Sequence, residues 1–254
     1  SMVQTRFSKF FPRQEIVHKQ GVIEPQRMIR YALITSGAHD QVVRTQLNYA
    51  FVSETQSWIV TQYRLELVDQ YQGQEDLRVE TLLCEANRFF CNRRFRFYEG
   101  DRLLAIVEAQ YVILDLDKRR IVRLPIESFQ EANLVIAEEE QAHFDPIKWE
   151  GDQVQESKTS PLAITPEVID ENGHVNNLVY IGWALDQLAS QAPYSSCYIK
   201  YGSELLPSDQ VEIRSQLVPL SDQEWVTDHQ IYNLSKDKVA CLVQFVWNQP
   251  VDLA

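Results

Sequence analysis

Apolar and polar positions along the chain follow one order, helix and then several long strands, and they follow it twice. Residues 56–71 (QSWIVTQYRLELVDQY), 77–83, 89–98 and 103–114 are rich in β-branched and aromatic side chains with partial alternation. Breaks at Gly73, Gly100–Asp101 and Asp117–Lys118 make them an antiparallel series of strands. Just before them, residues 40–54 carry apolar side chains at 43, 47, 50 and 51, a spacing that predicts a helix. In the second half, Val175, Leu178, Val179, Leu185 and Leu188 form a broad helical stripe over 175–190, and Pro193 breaks the chain. Strands are then predicted at 196–201, 210–219, 224–234 and 238–247. A long helix against a strongly curved antiparallel sheet is an α+β unit, and two such units could pack as a pseudo-dimer within one chain. The halves share little identity, so the repeat is one of pattern only.

Between the halves, residues 127–158 are polar and acidic, with Glu138, Glu139 and Glu140 in a row. That stretch reads as a linker or surface excursion with a solvated acidic face. The expected organisation is an N-terminal unit over 1–130, a linker over 131–157 and a C-terminal unit over 158–254.

Composition narrows the function classes. The 254 residues are 44% hydrophobic with 27 aromatic side chains, enough for a sizeable core in two compact units. A formal net charge of −12 argues against nucleic acid and anionic membranes as general partners. No stretch approaches the roughly 20 apolar residues of a spanning helix, and residues 1–20 hold no signal-peptide run. Cys84, Cys91, Cys197 and Cys241 form no C-x-x-C pair and read as reduced, core-facing thiols. A soluble, cytoplasmic protein is expected.

The sharpest chemistry lies in Ile169–Trp183 (IDENGHVNNLVYIGW), a polar turn feeding the second predicted helix. Asp170, Asn172 and His174 alternate, so an extended approach would place them on one side. Gly173 can supply an unusual backbone angle before the helix. N–H groups at the helix start could hold an oxyanion, and the dipole there favours a neutral imidazole. Taken singly, these residues are more commonly turn formers, helix caps or a hydrogen-bonded structural histidine. The chain has no G-x-S-x-G elbow, no P-loop, no G-x-G-x-x-G and no H-E-x-x-H. His18, His39, His143 and His229 stand in no recognisable partner motif.

The run Asn172-Gly-His-Val-Asn-Asn-x-x-Tyr-Ile-Gly-Trp183 closely resembles the active-site segment of fatty acyl-acyl carrier protein thioesterases of plants and bacteria. The resemblance implies a double hotdog, two helix-in-sheet units in one chain, the first mainly shaping the acyl pocket. It implies catalytic roles for Asp170, Asn172 and His174. It adds a glutamate from a Tyr-x-x-Glu segment, matched here by Tyr201-Gly-Ser-Glu204. Plant members carry a cysteine directly after that glutamate, where this chain has Leu205. The departure shifts weight from a thiol nucleophile to water activated by His174 and Glu204. Asp170 would tune that pair, Asn172 would hold the thioester or a catalytic partner, and N–H groups near Gly173–Val175 would face the oxyanion. Direct carboxylate attack stays open. The first unit lacks the Asp-x-Asn-x-His pattern, and His39 is read as structural.

No cofactor or metal is expected. The expected partner is an acidic acyl carrier protein bearing a fatty acyl chain, with a homodimer left open. Docking would need a local basic patch. Candidates are Arg88, Arg93, Arg94 and Arg96, then Lys118, Arg119, Arg120 and Arg123, then Lys200 beside Glu204. Coenzyme A thioester hydrolysis with the same residues, or an acyl-binding protein without chemistry, are the alternative readings.

Overall fold

A computed structural model describes residues 5–48, 52–134, 139–190 and 192–254. The chain divides into two compact units, Ser1–Phe144 and Asp145–Ala254. The first contains β1 (Phe7–Phe11), α1 (Pro25–Leu47), β2 (Gln56–Leu67), β3 (Leu77–Ala86), β4 (Cys91–Glu99), β5 (Arg102–Asp115), β6 (Arg120–Val122) and the short α2 (Ile126–Glu131). Its sheet runs β1-β3-β4-β5-β2, every pairing antiparallel, with β6 added to β5. The second contains β7 (Glu156–Leu162), α3 (Val179–Leu185), β8 (Tyr194–Tyr201), β9 (Val211–Ser221), β10 (Glu224–Asn233) and β11 (Lys238–Trp247). Its sheet runs β8-β11-β10-β9-β7, again antiparallel. Helix followed by long antiparallel strands in each unit is the α+β double hotdog.

The eight long strands fall where alternation and glycine breaks put them. The helices do not. α1 starts at Pro25, whose missing N–H costs nothing at a first helical position, and ends at Asn48 in the left-handed region (φ 50°). Its buried stripe is Met28, Ile29, Ala32, Thr35, His39 and Val43. Two of those positions are polar, which hid the stripe from a search for apolar spacing. The Thr35 hydroxyl donates to the Tyr31 carbonyl (2.8 Å), and His39 pairs with Arg93. Of the predicted helix 40–54, residues 40–47 lie in α1, while 49–51 fall outside the described residues. The second helix is shorter than its stripe, 179–185 rather than 175–190. Asn176 ends the preceding turn: its side-chain oxygen accepts from Leu178 N–H (2.9 Å) and its carbonyl from Val179 N–H (3.0 Å).

The acidic stretch expected to face solvent is tied down in both units. Leu124, Phe129 and Leu134 are buried with Val43, Leu83, Cys91 and Ile113. Glu139 pairs with Arg96 (2.8 Å), Arg94 (3.0 Å) and Arg6 (2.8 Å). Hydrogen bonding from Arg96, above all, holds its carboxyl down at about 2. The ladder continues from Arg94 to Glu108 (3.1 Å) and from Glu108 to Arg64 (2.7 Å). In the second unit, Ile147, Trp149 and Val154 pack on Val218, Val226 and Val246. The Gln244 amide brackets the Ile147 backbone (2.8 and 2.9 Å), and Trp149 Nε1 donates to Asp228. A solvated face does not describe Glu139: its charge is matched by three guanidinium groups.

The candidate active site

The Asp170–His174 segment is a tight turn, not an extended approach. Asp170 N–H donates to the His174 carbonyl (2.8 Å), and Ile169 bridges Val175. Gly173 takes φ +81°, as the glycine there allows. Asp170 Oδ1 accepts from two backbone groups, the N–H of Asn172 (2.9 Å) and of His174 (3.2 Å). Asp170 thus shapes the turn through its backbone. Asn172 sits exposed at the turn's apex, and the His174 side chain is one-fifth exposed.

Glu204 arrives from the loop after β8. Val175 N–H donates to the Leu205 carbonyl (3.1 Å), which lays that loop alongside the turn. Gly202 makes the approach possible: its N–H donates to Ala240 O (2.9 Å), and a Cβ there would lie 2.6 Å from Val239 O. The outcome is a contact between residues thirty positions apart, His174 Nε2 to Glu204 Oε2 at 3.2 Å. Opposite a carboxylate oxygen, Nε2 carries a proton in either charge state, because a bare lone pair there would face another. In neutral His174 the lone pair is then on Nδ1.

The three N–H groups assigned to an oxyanion are all engaged within the protein. Gly173 N–H donates to Asp170 O (3.1 Å), His174 N–H to Asp170 Oδ1 and Val175 N–H to Leu205 O. They cannot also face a substrate oxygen. The helix dipole is also too remote, since α3 begins five residues after His174 and such fields fade within a turn.

Tyrosines outside the predicted set brace the site. Tyr180 is buried against Tyr201 and Trp183, with ring centroids 5.9 and 5.6 Å away, and burial pushes its hydroxyl pKa up. Tyr201 OH donates to Asn177 O (2.9 Å), tying the end of β8 to the start of α3. Both tyrosines lie inside the motifs quoted above, but only packing reveals this role. His39 is fully buried, stacked on Phe7 (5.5 Å), with Nδ1 accepting from Arg93 (2.8 Å). Of the Arg88–Arg96 candidates, Arg93 pairs with Asp40 (3.2 Å), and Arg94 and Arg96 belong to the Glu139 ladder. Leu205 is fully buried, so the position that holds cysteine in plant relatives points into the core here.

The likeness to known proteins follows the same two units. Residues 14–132 match the acyl-ACP thioesterase N-terminal domain, and residues 151–249 match the C-terminal domain. Among solved structures, the fold is shared with a protein of Lactobacillus plantarum provisionally assigned as an oleoyl thioesterase (TM-score 0.74, 20% identity, 96% of each chain covered). It is shared with an acyl-ACP thioesterase from Bacteroides thetaiotaomicron (0.69, 18%, 96% of this chain and 98% of that one). A 12:0-ACP thioesterase from Umbellularia californica is similar as well (0.71, 16%, 98% and 95%). A sequence search of curated proteins found no match. Fold and family matches together define a thioester hydrolase built as a double hotdog. The chain belongs to the acyl-ACP thioesterase family, whose two domains match residues 14–132 and 151–249. Among the described residues, no helix is long and apolar enough to cross a membrane.

Proposed function

We propose that the chain hydrolyses fatty acyl-acyl carrier protein thioesters to free fatty acid and carrier thiol, using water activated by His174. The contact of His174 Nε2 with Glu204 Oε2 carries this reading. Glu204 accepts a hydrogen bond from Nε2–H, fixes the tautomer and stabilises the imidazolium that forms. Nδ1 takes the proton from water as its oxygen attacks the thioester carbonyl. The carbon–sulfur bond then breaks, and the thiolate, a good leaving group, departs without an elaborate acid. Asn172, exposed at the apex of the turn, supplies its side-chain amide to the carbonyl oxygen, the role the backbone N–H groups cannot fill. Asp170 holds the turn that aims both. Buried thiols do not suit a nucleophile: burial pushes Cys84 up to about 11 and Cys91 up to about 12, and raises Cys197 and Cys241 as well. The first unit, without the Asp-x-Asn-x-His set, contributes the acyl pocket. The family supports the carrier protein over coenzyme A as the acyl donor.

Steady-state hydrolysis by the purified chain, on acyl-carrier and acyl-coenzyme A substrates of equal chain length, tests the proposal. A higher kcat/KM on the carrier is expected. Preference for coenzyme A would overturn the substrate, and inertness on both would overturn the chemistry.

A further inference from the structure

The negative charge is divided unequally. The unit Ser1–Phe144 holds 18 Lys and Arg against 20 Asp and Glu, a net of −2. The unit Asp145–Ala254 holds 6 against 16, a net of −10. An acidic partner is therefore repelled chiefly by the unit that carries the Asp170–Glu204 site, and the nearly neutral unit is the one that can receive it.

Within the first unit the structure sorts the arginines. Arg93, Arg94 and Arg96 are engaged with Asp40, Glu108 and Glu139. The other candidate cations lie at one end of the sheet, where the β3–β4 turn meets the β5–β6 hairpin. Leu124 N–H donates to Arg88 O (2.9 Å), which sets Arg88 and Phe89 beside Arg123 although 35 positions separate the two arginines. Arg88, Lys118, Arg119, Arg120 and Arg123 are all exposed. So are two large apolar side chains between them, Phe89 (61%) and Ile121 (62%). The Arg88 guanidinium lies over the Phe89 ring at 5.2 Å from its centroid. Of the hairpin's two carboxylates, Asp115 turns inward on its loop, its Oδ1 accepting from the N–H of Asp117 (3.0 Å) and Lys118 (2.9 Å), while the Asp117 side chain is exposed beside Lys118.

We propose that this end of the first unit, Arg88–Phe89 together with Lys118–Arg123, is the docking surface for the acidic acyl carrier protein. The proposal rests on the carrier reading above. Arginine and an exposed aromatic side by side are the composition of a protein interface, the guanidinium fork pairing with carboxylates while the ring is covered. A folded acidic partner covers Phe89, which a membrane surface or a long polyanion does not need.

Kinetics with the full chain decide it. Three proteins are compared: wild type, the triple variant R88E/R120E/R123E and Phe89→Ser. Each is assayed on an acyl-carrier substrate and on the neutral N-acetylcysteamine thioester of the same acyl group. The triple variant should raise KM for the carrier by roughly tenfold or more, and Phe89→Ser should raise it less. Both should leave the N-acetylcysteamine parameters unchanged, and the wild-type KM for the carrier should climb with salt. A wild type active on the carrier, with a KM that the substitutions leave alone, overturns the surface but not the carrier reading. Inertness of the wild type toward the carrier overturns both. An equal loss on both substrates, dissociation of a homodimer at unchanged KM, or loss of binding only to phosphatidylglycerol vesicles, each removes the patch from carrier docking.

Discussion

Replacing Asp170 separates its shape from its charge. Its Oδ1 accepts the N–H groups of Asn172 (2.9 Å) and His174 (3.2 Å), and these two bonds define the turn that presents both side chains. A hydrogen bond to a charged acceptor is worth about 1.5–3 kcal/mol, and one to a neutral acceptor about 0.5–1.5. Asp170→Ala removes both. Water compensates part of the loss at the exposed Asn172 end, which leaves about 2–4 kcal/mol. At about 1.4 kcal/mol per decade, the productive turn falls by roughly 30- to 1,000-fold, and kcat/KM with it. Asp170→Asn keeps an oxygen in the same place and loses only the charged part of each bond, about 1 kcal/mol in all after solvent screening, or less than about tenfold. The assay is kcat/KM for both variants on one acyl thioester, with circular dichroism to verify folding. Equal, severe losses in Asn and Ala would show that the negative charge itself enters the chemistry, and the turn-forming account would fail.

His174→Ala should lower kcat by roughly 10²–10⁴, the range for a lost general base, and Glu204→Gln should be of similar severity; a near-normal kcat in Glu204→Gln would take that carboxylate out of the reaction. Cys197→Ser should keep turnover, because Cys197 is fully buried and its thiol is pushed up by that burial; abolished activity in a folded protein would restore a thiol mechanism. Leu205→Cys should bring no gain in activity and cost about 1–3 kcal/mol of stability, since it empties part of a fully buried site; faster turnover would contradict this. Two strongly lowered groups contribute to the acid limb of stability. Burial lowers His229 to about 3, so its contribution is whole above the unfolded value near 6.5 and is lost as pH falls toward 3. Glu139, lowered to about 2, adds stability above about 4.5 that disappears as pH falls toward 2. Thermal melts of Glu139→Gln should therefore lose the lower part of that slope and keep the part between about 6.5 and 4.5; an unchanged profile would refute the Glu139 clamp.

Much of this protein was legible without coordinates, and the reason is physical. A long strand with one face buried must alternate, so β2 to β5 and β8 to β11 declared themselves from periodicity and glycine breaks. The repeat of helix and strands in each half pointed to two α+β units. The segment Asp170–Trp183 stood out as a motif, the resemblance it carries added the run Tyr201–Glu204, and both lie inside the matched C-terminal domain. Elements whose buried faces are polar or small left a weaker signal. β7 (ESKTSPL) is a polar edge strand with a proline, and α1 hides its stripe behind the buried, hydrogen-bonded Thr35 and His39.

What tertiary structure decided is which groups already have partners. Sequence offers Gly173, His174 and Val175 as oxyanion donors. Only folding shows each N–H engaged with Asp170 or Leu205. Sequence offers eight arginines and lysines in two clusters as a basic patch. Folding withdraws Arg93, Arg94 and Arg96 into ion pairs, and it sets Arg88 beside Arg123 through the hydrogen bond from Leu124 N–H to Arg88 O. It also draws Glu139 out of a run of acids into an arginine clamp, and brings His174 to 3.2 Å from Glu204. Periodicity is a property of neighbours along the chain, and one sequence displays it. Partnership belongs to groups brought together by sheet register and by loops that close only where Gly202 has no side chain, and no local pattern encodes it.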